Sequence, residues 1–154
     1  MKFVMVGSFL FLAAMGISAH HDERSEWDPP SQVEQKKSHV LPVYWPLRFE
    51  WIPADWAESD FWLRLDVPCD GTYVFLTMSQ NDPVLDVFDS SRHLKSFDDT
   101  DRLKFPQLPN PYNVYGEMTM KQGAYWVRLR LFANHQKKKA GAATVFCYRK
   151  PEEK

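Results

Sequence analysis

Two stretches, "FWLRLDV" (61–67) and "AYWVRLRLF" (124–132), alternate apolar and polar side chains with a period of two. A strand sends successive side chains to opposite faces, so each stretch reads as a half-buried strand. In the first, Phe61, Leu63, Leu65 and Val67 share one face, while Trp62, Arg64 and Asp66 share the other. In the second, Tyr125, Val127, Leu129 and Leu131 point inward and Trp126, Arg128 and Arg130 outward.

The rest of the chain extends this pattern. After "PCDG", where Asp70-Gly71 supplies a turn, "TYVFLTM" (72–78) reads as the hairpin partner of 61–67. "VLDVFD" (84–89) is a short strand between Asp82-Pro83 and Ser90-Ser91, and a weaker strand is expected over 94–97. A Pro- and Asn-rich loop at 105–113 precedes "YGEMTM" (115–120), and "ATVFCYRK" (143–150) is the last strand. Pro42, Pro46 and Pro53 restrict the region after Val40 to short edge strands and irregular crossings. No helical period of useful length follows the leader. Seven to nine short strands separated by turn signals predict an all-β chain, an antiparallel β-sandwich or jelly roll.

The first residues, "MKFVMVGSFLFLAAMGISA", combine one Lys, an apolar run and a small-residue end. That is the layout of a secretory signal peptide over 1–19, and the apolar run is too short for a comfortable membrane span. Residues 20–38 are polar and aperiodic, which predicts a flexible segment; 39–150 form the sandwich domain and 151–154 an exposed tail. Roughly 135 residues after the leader suffice for one core. A formal net charge of -1 gives no long-range attraction to nucleic acid or anionic membrane. Lys137, Lys138 and Lys139 read as a solvated loop tip.

The two cysteines are Cys69 and Cys147. In an oxidising compartment a single Cys69–Cys147 disulfide is the expectation, and closing so long a loop would stabilise the fold by roughly 4 kcal/mol in the chain-entropy model.

The order of "FWLRLDVPCDGTYVFLTMS", "DPVLDVFDSSRHLKSFDD", "MKQGAYWVRLRLFA" and "ATVFCYR" resembles the bacterial pre-peptidase C-terminal domains across residues 58–149. The matching features fall on Leu85 to Asp89, on Asp98-Asp99, and on Gly123 to Leu129. The resemblance implies a sandwich with a binding or accessory role rather than catalysis, and calcium or extracellular matrix as the kind of ligand some relatives take.

Three constellations carry candidate chemistry. Asp82, Asp98, Asp99 and Asp101 supply the kind of oxygen ligands that calcium requires, but Asp is simply favoured in turns, where it bonds local backbone amides, and that reading outweighs a metal site. Trp62 and Trp126 fall on the polar faces of their strands and are candidates for stacking on a glycan or anchoring a protein, unless residues 40–56 fold over that face and bury them. His20 and His21 lie at the expected cleavage site, where a new amino terminus and imidazoles would suit copper(II), with His39, His93 or His135 as further ligands. There is no GxSxG, HExxH or Gly-rich phosphate loop. The sequence therefore predicts a secreted, non-enzymatic binding module with an extracellular protein or glycan as partner.

Overall fold

A computed structural model describes residue 25 and residues 27–51, 60–98, 112–131 and 141–152. Among these, one short helix and nine strands form two sheets facing each other across a core. The helix is α1 (Gln32–Lys37). The strands are β1 (His39–Val40), β2 (Leu47–Trp51), β3 (Phe61–Val67), β4 (Gly71–Ser79), β5 (Pro83–Phe88), β6 (His93–Phe97), β7 (Tyr115–Met120), β8 (Gly123–Leu131) and β9 (Gly141–Arg149). Sheet A runs β1-β3-β8-β5-β6 and sheet B runs β2-β9-β4-β7; every pairing is antiparallel except the short parallel β1–β3 pair.

Inward residues of both sheets make one apolar layer. Leu63 and Leu65 of β3, Tyr73 and Phe75 of β4, Leu85 and Val87 of β5, Val127 and Leu129 of β8, and Val145 of β9 are all buried. Burying one such side chain is worth about 1.5–3 kcal/mol, so this layer outweighs any surface contact. The two sides of the sandwich are closed by aromatics. On one side Phe97 of β6 stacks on Phe75 at 5.4 Å and lies where a Cβ on Gly116 would sit 2.0 Å from its ring, so glycine is required at that position. On the other, Phe49 of β2 meets Phe61 of β3 at 4.8 Å.

The expected hairpin between 61–67 and 72–78 is not formed. β3 and β4 lie in different sheets, because both edges of β3 are taken, by β1 and β8. The turn at 68–70 is a crossing between sheets, and so is the turn at 121–122 between β7 and β8. Asp70 ties the two crossings together: its carboxylate accepts from Lys121 Nζ at 2.7 Å and from the Gln122 backbone N–H at 2.8 Å. These bonds hold the Asp70 carboxyl below the usual carboxylate range. The loop 42–46 also crosses from sheet A to sheet B. Val67 pairs with Gly123, Gly71 with Met120, and Tyr73 with Arg149, so all three crossings and the end of β9 sit at one end of the sandwich.

At the other end a buried amide extends sheet B beyond β7. Asn113 Oδ1 accepts the Ser79 N–H at 2.7 Å, while Thr77 Oγ1 accepts the Val114 N–H at 2.8 Å. Side chains here take the place of ladder bonds, which keeps buried backbone groups satisfied.

Within the segment 20–38, the described residues include α1, which contacts β3 of sheet A through Trp62. Ser31 caps α1 and Glu34 returns the bond, a reciprocal capping box spelled "SQVE" in the sequence.

Candidate functional site

Part of the outward face of sheet A is covered, around Trp62, while Arg64 and Asp66 on the same face stay exposed. Trp62 is buried, its indole N–H donating to Glu34 Oε1 of α1 at 2.9 Å and its ring 5.2 Å from Phe88. Trp126 is half-buried on the same face, opposite Arg64 and Phe88 in register. Neither presents the open ring expected of a glycan platform. The contact over Trp62 comes from α1, with Trp27 alongside, its ring 4.7 Å from His93; of the segment 40–56, residues 52–56 lie outside the described residues.

Beneath this cover Asp86 is fully buried. Arg128 reaches its Oδ2 from Nε at 3.0 Å and Nη2 at 2.8 Å, Arg130 Nε reaches the same oxygen at 2.9 Å, and Ser96 donates to Oδ1 at 2.6 Å. Burial pushes the Asp86 carboxyl up, but the bonds from Arg130, Ser96 and Arg128 outweigh it and leave the carboxyl below its ordinary value. Arg128 also lies over the rings of Trp62 and Phe88, at 5.7 and 5.6 Å. None of the buried side-chain polar atoms of this cluster lacks a partner, and the cluster works as a structural lock.

The acidic stretch divides. Asp89 closes the β5–β6 turn, its Oδ1 accepting the backbone N–H groups of Ser91 at 2.7 Å and Arg92 at 2.9 Å. Asp82 precedes β5 and Asp98 follows β6, while Asp99 and Asp101 lie outside the described residues. Among the described residues no group of three or more His, Cys, Asp or Glu is placed to hold a metal ion. His20, His21 and His135 also lie outside them. His39 packs its ring against Phe49, and His93 is held between Trp27 and Phe88 with Nε2 at 3.0 Å from Ser96 Oγ, so these two belong to separate packing contacts.

The expected disulfide is absent: both cysteines are free thiols. Cys147 faces the core opposite Phe75, and burial pushes its thiol up to about 12. Cys69 lies exposed on the 68–70 crossing, where its carbonyl accepts from Tyr73 Oη at 2.9 Å.

What stands open is the end with the three crossings. The loop that enters β2 belongs to "LPVYWPL" (41–47), which carries no charge. Leu41 is buried and Val43 packs against the core, but Tyr44 is 63% and Trp45 71% exposed. The Trp45 N–H turns back to Pro42 O at 3.5 Å and the Tyr44 N–H donates to Cys147 O at 2.7 Å. Tyr44 has a φ of 74°, the only non-glycine residue with positive φ among those described. It occupies the third position of the turn, where a type II geometry needs φ of about +80° and glycine is the usual choice. Holding a tyrosine there costs on the order of 1 kcal/mol or more, and such strain persists only where the surroundings enforce it.

This end of the sandwich also carries ion pairs: Lys121 with Asp70 at 2.7 Å, Lys150 with Glu117 at 3.1 Å and Arg149 with Glu152 at 2.6 Å, while Arg48 pairs with Glu50 at 3.1 Å along β2. Lys150 and Tyr115 lower the Glu117 carboxyl, so it stays ionised. Tyr44 and Trp45 belong to 40–56, the segment that from sequence could fold over the tryptophan face. The missed signal was the Pro-flanked, uncharged stretch itself.

With fold and site in view, the chain is an all-β sandwich, and its fold is similar to that of a pre-peptidase C-terminal domain. The pre-peptidase C-terminal domain of a collagenase from Bacillus anthracis matches it with a TM-score of 0.53 at 8% identity, over 71% of this chain and 93% of that domain. A periplasmic inhibitor of g-type lysozyme from Aeromonas hydrophila matches with a TM-score of 0.39 at 8% identity, over 71% of this chain and 96% of that one. No protein-family model matches the sequence, and a search of the curated proteins finds no relative. Among the described residues no helix is long and apolar enough to cross a membrane.

Proposed function

We propose that this chain is a secreted, non-enzymatic binding module that engages an extracellular ligand through the end of the sandwich carrying Tyr44 and Trp45. The observation behind this reading is the strained, proline-flanked turn that turns two adjacent large aromatics out to solvent. Trp and Tyr dominate binding hot spots because they bring large, rigid contact area with few torsions to freeze. Flanking prolines and a fixed backbone reduce the ordering cost of binding further. Local strain gathers at ligand-contacting positions, and the direction of inference here is from the outlier to the role.

The test is retention. Extracellular fluid from the source organism is passed over the immobilised protein and over a Tyr44→Ser/Trp45→Ser variant shown to be folded by circular dichroism. A ligand held by the first and lost by the second is expected; equal retention on both, or none on either, overturns the reading.

A further inference from the structure

Beside the tip, on the other flank of β9, lies a pocket of about 330 Å³ walled by Thr72, Glu117, Arg149, Lys150 and Glu152 around the bare backbone of Gly71. We propose that tip and pocket together form a carbohydrate site, taking an uncharged, hydroxyl-rich glycan with one sugar face on Tyr44 and Trp45 and its hydroxyls in the pocket. The inference rests on the binding end assigned above and adds the ligand class.

Geometry joins the two halves. Tyr44 is bonded to the carbonyl of Cys147 on the β2 side of β9, and the Lys150 N–H is bonded to Thr72 O on the β4 side at 2.7 Å. Strands lie about 4.8 Å apart, so tip and pocket are on the order of 10 Å from each other, within reach of one short oligosaccharide. Tyr148 stands between them, pointing away from the core because its neighbour Cys147 points inward.

The chemistry selects the ligand. Two cations and two carboxylates line the pocket, already paired as Lys150 with Glu117 and Arg149 with Glu152. Their charges cancel, so a sulfated or phosphorylated ligand gains no net field and meets two carboxylates. A hydroxyl donates and accepts at once, which suits a wall where carboxylate acceptors and cationic donors alternate. The pocket wall depends on the glycine: Arg149 Nε is buried where a Cβ on Gly71 would be 2.5 Å away, so glycine there makes room for the guanidinium. A protein interface has the opposite layout, an apolar centre inside a polar rim. Here the centre is polar and the aromatics stand at its flank.

An array of neutral, sialylated and sulfated glycans, probed with wild type, Trp45→Ala, Glu117→Gln and Val33→Ser, tests this. Neutral glycans should be retained, with affinity falling at least tenfold in Trp45→Ala and Glu117→Gln and unchanged in Val33→Ser on the distant helix. Binding of charged glycans alone, or neutral binding insensitive to Trp45→Ala, overturns the proposal. Trp45 is solvent-facing, so its variant decides even if Glu117→Gln fails to fold. A blank array combined with Trp45-dependent retention of a protein from extracellular fluid removes the carbohydrate assignment and leaves the binding end standing. A blank array with no Trp45-dependent retention removes both.

Discussion

Trp62 donates its indole N–H to the Glu34 carboxylate at 2.9 Å, and through this contact the amino-terminal segment covers part of the outward face of sheet A. Glu34 spends its other oxygen on the Ser31 N–H at 2.7 Å, so one carboxylate both caps the helix and docks it. This relationship explains why a tryptophan on the polar side of a strand pattern is buried.

Replacing Glu34 with Ala removes the cap bond and the bond to Trp62 together. Each is worth about 1 kcal/mol, so a loss of about 1–2 kcal/mol is expected from urea denaturation, together with greater quenching of tryptophan fluorescence by acrylamide. Unchanged stability and quenching would detach the helix from the sheet.

Asp86→Ala leaves Arg128 and Arg130 buried without their carboxylate and is expected to destabilise the fold by about 3–5 kcal/mol. The pH dependence follows from the direction of the Asp86 shift. Its folded-state value lies below the unfolded one, so its contribution is complete above the unfolded carboxylate range near ~4 and is lost as pH falls through the folded value. Stability measured by chemical denaturation should therefore drop on acidification below about pH 4, and less steeply in a surviving Asp86→Asn variant. A wild-type curve flat through that range would contradict the lock.

At Tyr44, glycine relieves the positive φ at a cost in unfolded-chain entropy of about 0.5–1 kcal/mol, against strain of about 1–3 kcal/mol. Tyr44→Gly is expected to melt at the same temperature as wild type or higher while losing ligand. A clear fall in melting temperature would mean the side chain is structural.

The two thiols should separate cleanly. In the native protein a maleimide or disulfide reagent near neutral pH should modify exposed Cys69 and spare Cys147, whose burial holds its thiol up at about 12. Both should react after denaturation. Mass spectrometry showing neither reactive without a reductant would restore the disulfide.

Strand positions were legible in both sheets: the strands expected over 61–67 and 124–132 from alternation, and over 72–78, 84–89, 115–120 and 143–150 from strand-forming residues between turn signals, are present as β3, β8, β4, β5, β7 and β9. What alternation cannot show is which edge a strand pairs. β3 and β4 are adjacent in sequence with a good turn between them, yet long-range pairing with β8 wins. Nor does a two-sided strand announce its second cover. "VLDVFD" contains Asp86, which looks solvent-facing by its polarity but is sealed by two arginines that sequence places more than forty positions away. The helix was readable in "SQVE", had the capping pattern been weighed above the polar composition around it. The tip was readable only in part, because burial of a tryptophan is the better wager from sequence and Trp45 goes against it.

The central claim is that ligand meets the chain at Trp45. A photo-activated crosslinking residue placed at 45 tests it, with the same residue at Val33, equally apolar and exposed but on the helix, as control. Irradiation in extracellular fluid of the source organism should give a discrete adduct from position 45 and none from position 33. The same adducts from both positions, or an adduct from 33 alone, would place binding elsewhere on the molecule.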